Sequence, residues 1–526
     1  MGHLSTATLY IAYFVIPLAS LLFLSGYRIF LHPLRDYPGP TLAKITNAYA
    51  GWLAIRKKQY LASYHDFQRF GSPVVRHGPA QLVFNTPKAF HDIYMNPRTT
   101  KGQAYRASQL AAKYPSILNA IDKDQHRRKR KFIGLALTER SLRSFESTMS
   151  MQVEIFLRQL LRSSEQREIV NLSPRCQRLG LDIIGLLSFG YHFNTQTEES
   201  HRFLQEVIDS MSWRINMYMA FPFIKPLESV FMLCGAPKLL KFHRLVTDMI
   251  KKRMSEGKDA RHDLYSVLAD HVGKNQEGLY KGELWPEAIL FIMAGGSTTA
   301  AALSAAFFYL AHNPKVYDKL ATEIRSTFRS GRDIHSGEDL RSCKYLRACI
   351  DETLRMSPAA TVISWRQIDP KDTSGEPWIV DGHVIPPGTQ VGVPFYSLFH
   401  NEEYFPDSFT WKPERWLDPH GNQSEEESAA RAAMHNAFHP FQAGDRSCLG
   451  KPMAYLEASL TLARTLWYFD FETAPGVPGL VGAGTEGKTD GRGRPNEFQL
   501  YDIFVAEHDG PNLVFRPRAG VCKDLE

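Results

Sequence analysis

Cys448 stands in the run Pro440-Phe441-Gln442-Ala443-Gly444-Asp445-Arg446-Ser447-Cys448-Leu449-Gly450, and an Ala- and Leu-rich helical stretch, Lys451 to Trp467, follows at once. A cysteine so placed meets the unpaired N–H groups and the positive end of a helix dipole, which stabilise a thiolate. Arg446 adds a nearby cation, so the sulfur is prepared to ligate a metal. Gly444 and Gly450 lack a Cβ, which lets the backbone turn tightly and lie against a flat cofactor. Phe441 offers a wall between the sulfur and water. A small buried cysteine in a turn is the competing reading and, on the physics of the loop alone, slightly the better one.

Three other groups of residues carry chemistry. Glu352 and Arg355 lie three apart in a helix ended by Pro358, so carboxylate and guanidinium share a face. The Pro413-Glu414-Arg415-Trp416 segment supplies a second arginine that can bridge them. Such a pair is most often solvated and of little weight. A long helix, about Trp285 to His312, reads Ala294-Gly295-Gly296-Ser297-Thr298-Thr299 in its middle. Two adjacent glycines there cost about 1 kcal/mol each relative to Ala, so they answer either to close helix packing or to a groove beside a hydroxyl. The run His126-Arg127-Arg128-Lys129-Arg130-Lys131 suggests a nucleic-acid patch in isolation, though a solvated helix face is the simpler expectation.

Phe441, Gly444, Arg446, Cys448 and Gly450 reproduce the F-x-x-G-x-R-x-C-x-G signature, and with it the chain resembles the cytochrome P-450 family. The resemblance extends from the N-terminus to Arg516 and implies a P-450 fold with Cys448 as the proximal thiolate of haem b. By the same resemblance Arg446, His126, Arg130 and Arg366 contact haem propionates, and Glu352, Arg355 and Arg415 form an internal brace for the cysteine loop. Thiolate ligation favours O–O cleavage. The Ala294–Thr299 segment resembles the family's oxygen-activation motif, which makes Thr298 the partner of iron-bound oxygen. The family usually has Asp or Glu before that Thr, where this chain has Ser297, so protons would pass instead through Ser297 and Thr299. Substrate is expected among Ile292, Ala294, Gly295, Val362, Ser364 and His508.

The elements that must hold these residues fall into an order. Thr6 to Gly26 contains no charge and is long enough to span a bilayer. No Lys or Arg precedes it, which speaks against a cleaved signal peptide. Arg28, Arg35, Lys44 and Arg56 to Lys58 follow, so the rest of the chain should face the cytosol. The domains expected are an anchor at 1–27, a Pro-rich hinge at 28–45, and a single catalytic domain at 46–526. From Thr41 to Ser357 the pattern is mainly helical. After Pro358 comes a hairpin, Trp378–Val380 and His383–Ile385 around Asp381-Gly382, and then a strand at Gln390–Val393. A second hairpin is read around Asp509-Gly510-Pro511, its tip near His508. The fold class is therefore mainly α with a smaller β region, α+β.

Composition bounds the rest. With 62 basic against 55 acidic residues the net charge of +7 suits an acidic protein partner or an anionic membrane, and is too spread for nucleic acid. Six cysteines in 526 residues, with no C-x-x-C pair, indicate a reducing compartment. Gly476 to Pro495 reads as a mobile loop. Its Gly482, Gly484 and Gly487 mimic a dinucleotide motif, but no βαβ unit surrounds them, so no nicotinamide or flavin site belongs to this chain.

The expectation is a reductase-dependent monooxygenase in the endoplasmic reticulum membrane, its texture most like fungal microsomal enzymes that tailor secondary metabolites. Electrons would come from NADPH through a separate flavoprotein reductase, with cytochrome b5 as a second donor. The oxidised molecule would be apolar and small. Two further readings stay open: a haem-thiolate desaturase, coupling enzyme or isomerase without net oxygen insertion, suggested by Ser297, and a non-catalytic haem-binding protein.

Overall fold

Leu284–His312 is a helix almost wholly apolar and rich in Ala, a composition that suits a helix buried on most sides. A computed structural model describes residues 11–110, 113–257, 260–261, 263–269, 280–418 and 424–525, and in it this helix runs through the centre of the molecule. Helices around it are α1 (Lys123–Ala136), α2 (Glu139–Glu165), α3 (Leu172–Phe189), α4 (Phe203–Ala220) and α5 (Ala236–Ser255). The central helix is α6, followed by α7 (Pro314–Thr327), α8 (Lys344–Met356) and α9 (Lys451–Tyr468). Asp122 and Asn171 cap α1 and α3 with their side-chain oxygens. Pro314, after Asn313, stops α6 and starts α7.

The paired glycines of α6 owe their place first to packing. A Cβ on Gly180 of α3 would lie 2.4 Å from Gly296 O, and one on Gly295 would lie 2.6 Å from Ile184 Cδ1. The two helices therefore touch through backbone, which only glycine permits.

Twelve short strands lie among the described residues: β1 (Val74–Gly78), β2 (Gln81–Phe84), β3 (Thr99–Lys101), β4 (Val170–Asn171), β5 (Arg366–Ile368), β6 (Trp378–Val380), β7 (His383–Ile385), β8 (Gln390–Gly392), β9 (Phe469–Thr473), β10 (Leu500–Tyr501), β11 (Glu507–His508) and β12 (Asn512–Pro517). The largest sheet has the order β1-β2-β8-β5-β3, with β2 and β8 parallel. Strands β1 to β4 fall inside the stretch read as helical. They are short, and β1 to β3 are buried at every residue, so no alternation marks them.

The hairpin β6-β7 has the expected register, Trp378 opposite Ile385, with left-handed Asp381 and Gly382 between. The second expected hairpin is wrong. β12 pairs with β9 and β4, while β11 turns back on β10.

The N-terminal helix is described from Ile11 and runs to Leu31, past the expected boundary at 27, and none of its 19 residues Tyr13–Leu31 is buried. At about 1.5 Å per residue the Tyr13–Leu31 stretch is roughly 28 Å long, close to the apolar thickness of a bilayer. Residues 6–10 of the expected span lie outside the described residues. The Pro-rich connector is docked on the sheet: Leu34 is buried, Arg76 N donates to Pro38 O at 2.7 Å, and a Cβ on Gly39 would meet Arg76 O at 2.3 Å. The 476–495 loop is tied to itself by Thr485 N to Arg492 O at 2.9 Å, and to the body by Lys58 to Asp490 at 2.7 Å.

Candidate active site

The cysteine loop arrives at α9 through a tight turn. Cys448 N donates to Phe441 O at 2.8 Å, and Gly450 caps α9. Cys448 Sγ faces the N–H groups of Gly450 and Lys451 and opens into a cavity of about 290 Å³ between α9, α6 and α1. Burial pushes the thiol up, while those N–H groups, Arg130 and Lys451 act in the opposite direction. The cations that act on the sulfur are thus Arg130 and Lys451, where Arg446 was expected. Arg130 Nη1 donates to Ser447 O at 2.6 Å and Nη2 to Ser447 Oγ at 2.9 Å. Arg446 turns the other way, its Nη1 donating to Ala120 O at 2.8 Å.

The cavity brings together Phe441, Arg446, Cys448, Gly450, His126 and Arg130 from the expected set, and opposite them Ala294, Gly295, Thr298 and Thr299. Gly444 is absent from its walls. Its left-handed φ of 72° and the approach of Tyr94 O, 2.2 Å from where a Cβ would lie, explain the glycine without a cofactor. Arg366 does not line the cavity either. It lies over the Tyr94 ring at 5.0 Å, and its cross-strand partner Lys101 lines the wall in its stead.

Lys101 escaped the sequence reading because a lone lysine in a three-residue strand carries no signal. It is buried, its Nζ donates to Ile117 O and Leu118 O at 2.8 and 2.7 Å, and burial holds its pKa well below the usual lysine value. Burial, Lys101 and Arg446 together push His126 down to about 2, so its imidazole is neutral. Glu457 also lines the cavity. Both its oxygens are buried without a hydrogen bond, and burial pushes it up to about 8. The signal was a single acid in the apolar helix after Cys448.

Leu290, Ala294 and Thr298 border both this cavity and an adjoining apolar chamber of about 230 Å³. They are spaced by four and form one stripe of α6. Thr298 Oγ1 donates to Ala294 O at 2.6 Å, leaving its lone pairs free to face the cavity. Ile292 is half a turn from Leu290 and is buried in the core, so it lines neither space. Ser297 lines neither as well.

Other expected substrate contacts move too. Val362 borders a separate small cavity with Tyr60, His77 and Asp502, and Ser364 lines none. His508 is buried against Phe498, its Nδ1 at 3.1 Å from Ala506 O. The chamber is lined by Ala360, Phe504 and Val505 instead, where Phe504 adopts a φ of 90° and Ala506 N donates to Ala359 O.

Behind the site, Glu352 and Arg355 pair bidentately at 2.9 Å and are fully buried, and Arg415 Nε reaches Glu352 Oε1 at 3.0 Å. Burial opposes ionisation of Glu352, but Arg355, Arg415 and the Lys412 N–H together outweigh it and hold the carboxyl below its usual range. The link to the cysteine loop is indirect. The Trp416 ring packs at a tilt against Phe438, centroids 4.4 Å apart, and Phe438 leads into the loop. Of the basic run, Lys129 is fully buried between Glu283 and Glu287 at 3.0 Å each, and Arg128 meets Glu283 at 2.7 Å, so the helix is not the solvated face expected.

A thiol under a helix N-terminus, a rim of Lys101, Arg130 and Arg446, and an Arg446 Nε that makes no hydrogen bond fit an anionic iron macrocycle such as haem. The profile of the family described as Cytochrome P450 matches residues 40–480. The chain is 32% identical to the cytochrome P450 monooxygenase atnE of Emericella nidulans over 508 residues, 94% of each protein. It is 31% identical to the cytochrome P450 monooxygenase poxM of Penicillium oxalicum over 98% of this chain and 95% of that one. A similar likeness, 31% over 93% and 94%, holds for the cytochrome P450 monooxygenase AKT7 of Alternaria alternata. With its signature cysteine set under α9 and its long central helix across the cavity, this chain belongs to the cytochrome P450 family and is a haem-dependent monooxygenase.

Proposed function

We propose that the chain oxidises an apolar small molecule of fungal secondary metabolism, anchored by its N-terminal helix in the endoplasmic reticulum membrane with the catalytic domain in the cytosol. The observation that carries this reading is that the Cys448 cavity adjoins the apolar chamber, the two sharing the Leu290-Ala294-Thr298 stripe as a wall. Haem b, when bound, supplies the site where dioxygen is held and activated. Cys448 ligates its iron, and Lys101, Arg130, His126 and Arg446 hold its propionates. Phe441 excludes water from the sulfur. Thr298 Oγ1 holds a proton against Ala294 O and can turn it toward the chamber. NADPH, through a flavoprotein reductase aided by cytochrome b5, is the electron source. The reductase meets the exposed Arg127 and Lys131 on α1.

Expression in microsomes with a reductase, followed by a carbon monoxide difference spectrum, tests the thiolate. A second reading, desaturation, coupling or isomerisation without net oxygen insertion, is favoured by Ser297 in the place of an acid. Turnover under heavy dioxygen separates the two, because only insertion labels the product.

A further inference from the structure

The apolar chamber beside the cavity contains a cation that, among the described residues, no carboxylate neutralises at contact. Arg214 of α4 is only 6% exposed, and it lines the chamber but not the Cys448 cavity. Among the described residues its one hydrogen bond runs from Nε to Ser210 O at 3.4 Å, and no carboxylate lies within 4 Å of it. Glu228 lines the same chamber, is partly exposed, and makes no ion pair among the described residues. A second donor points the same way. Trp285 Nε1 at the start of α6 is buried without an acceptor and borders the chamber.

A guanidinium taken out of water without a partner is costly, and the cost is offset when an anion joins it in the same low-dielectric space. With Nε engaged, the two terminal nitrogens present the parallel fork that suits a planar carboxylate. Leu110, Met211, Ile215, Phe242, Ile289 and Met293 make the remaining wall mostly apolar.

We propose that the substrate is an apolar molecule carrying one carboxylate, which Arg214 binds. This rests on the monooxygenase reading above. Arg214 lies outside the Cys448 cavity, so the carbon oxidised is remote from the carboxylate and reaches the iron past Ala294 and Thr298. Trp285 Nε1 takes a hydroxyl or carbonyl oxygen elsewhere on the same molecule.

The haem-loaded full chain is titrated with dodecanoate, and with 1-dodecanol and methyl dodecanoate as neutral matches. Binding is followed by equilibrium dialysis of labelled probe and by the shift of the haem Soret band. Dodecanoate is expected to bind about 10- to 100-fold tighter than 1-dodecanol, the range of one charge-assisted contact. Arg214→Gln removes that preference and leaves 1-dodecanol binding unchanged, and Arg214→Lys retains part of it. Equal binding of acid and alcohol by the wild type overturns the proposal, whatever the variants do. So does a preference for the acid that appears only in Glu228→Gln, because Glu228 would then be the partner of Arg214. A normal thiolate spectrum with no acid preference sinks this inference alone, while loss of the thiolate spectrum from the wild type sinks the monooxygenase reading itself.

Discussion

Trp416 Nε1 donates to Glu352 Oε2 at 2.9 Å, the same oxygen that receives Arg355 Nε. The other oxygen takes Arg355 Nη2, Arg415 Nε and Lys412 N at 2.9 to 3.0 Å. One buried carboxylate thereby ties α8 to the segment that precedes the cysteine loop. Trp416→Phe deletes a single donor and should cost about 1–2 kcal/mol. Glu352→Ala strands two buried guanidinium groups and should cost about 3–5 kcal/mol. Urea unfolding of both variants checks the ranking, and equal costs would refute it.

Cys448→Ala is expected to fold, because the loop's backbone bond from Cys448 N to Phe441 O is kept. Its carbon monoxide difference spectrum should lack the red-shifted thiolate band that the wild type shows. A retained band would place the ligand elsewhere.

Lys101→Met removes a buried cation from the cavity wall and keeps its length. Haem retention should weaken about 10- to 100-fold, as for loss of one charged hydrogen bond, while the apoprotein's melting temperature changes little, because relief of the buried amine is offset by Ile117 O and Leu118 O losing their donor. Transfer of haem to apomyoglobin measures the first and calorimetry the second.

Gly180→Val would press its side chain into Gly296 O and separate α3 from α6. The expected cost is about 1–3 kcal/mol, with the chamber side of α6 displaced. Gly257→Ala, whose Cβ would meet nothing within 4 Å, is the control and should be close to neutral.

Asp66, in the helix Gln59–Phe70, is buried, and burial pushes its pKa up to about 7. Its folded pKa lies above the unfolded value near 3.9, so the native state binds the extra proton between them. Stability contributed by this residue therefore falls as pH rises from about 4 to 7. Asp66→Asn should flatten that slope and gain roughly 1–3 kcal/mol at pH 8, with no gain below about pH 4. Parallel thermal melts across pH test the sign.

Local patterns carried well wherever the residue type had one physical role. The Asp381-Gly382 pair required left-handed φ at both positions and made its hairpin in register. The ends of α6 follow its composition and Pro314, and the E-x-x-R spacing put both charges on one face of α8. Expectations failed where a side chain's direction depended on what packed behind it. Ile292 and His508 are close in sequence to the chamber's walls, yet helix phase turned the first into the core and pairing of β11 with β10 turned the second toward Ala506 O.

By itself the sequence determined the family, the cysteine that faces the cavity, the long central helix and the apolar N-terminal segment, because each rests on residue types at fixed short spacing. Only the tertiary structure decided that Arg130 and Lys451 act on the sulfur where Arg446 was expected, that Lys101 takes the wall expected of Arg366, and that Arg214, in an apolar chamber, has no ion pair among the described residues. Those are matters of burial and of distance between segments far apart in the chain. Solvent exposure and the nearest opposite charge arise when helices and strands pack, and no local spacing encodes them.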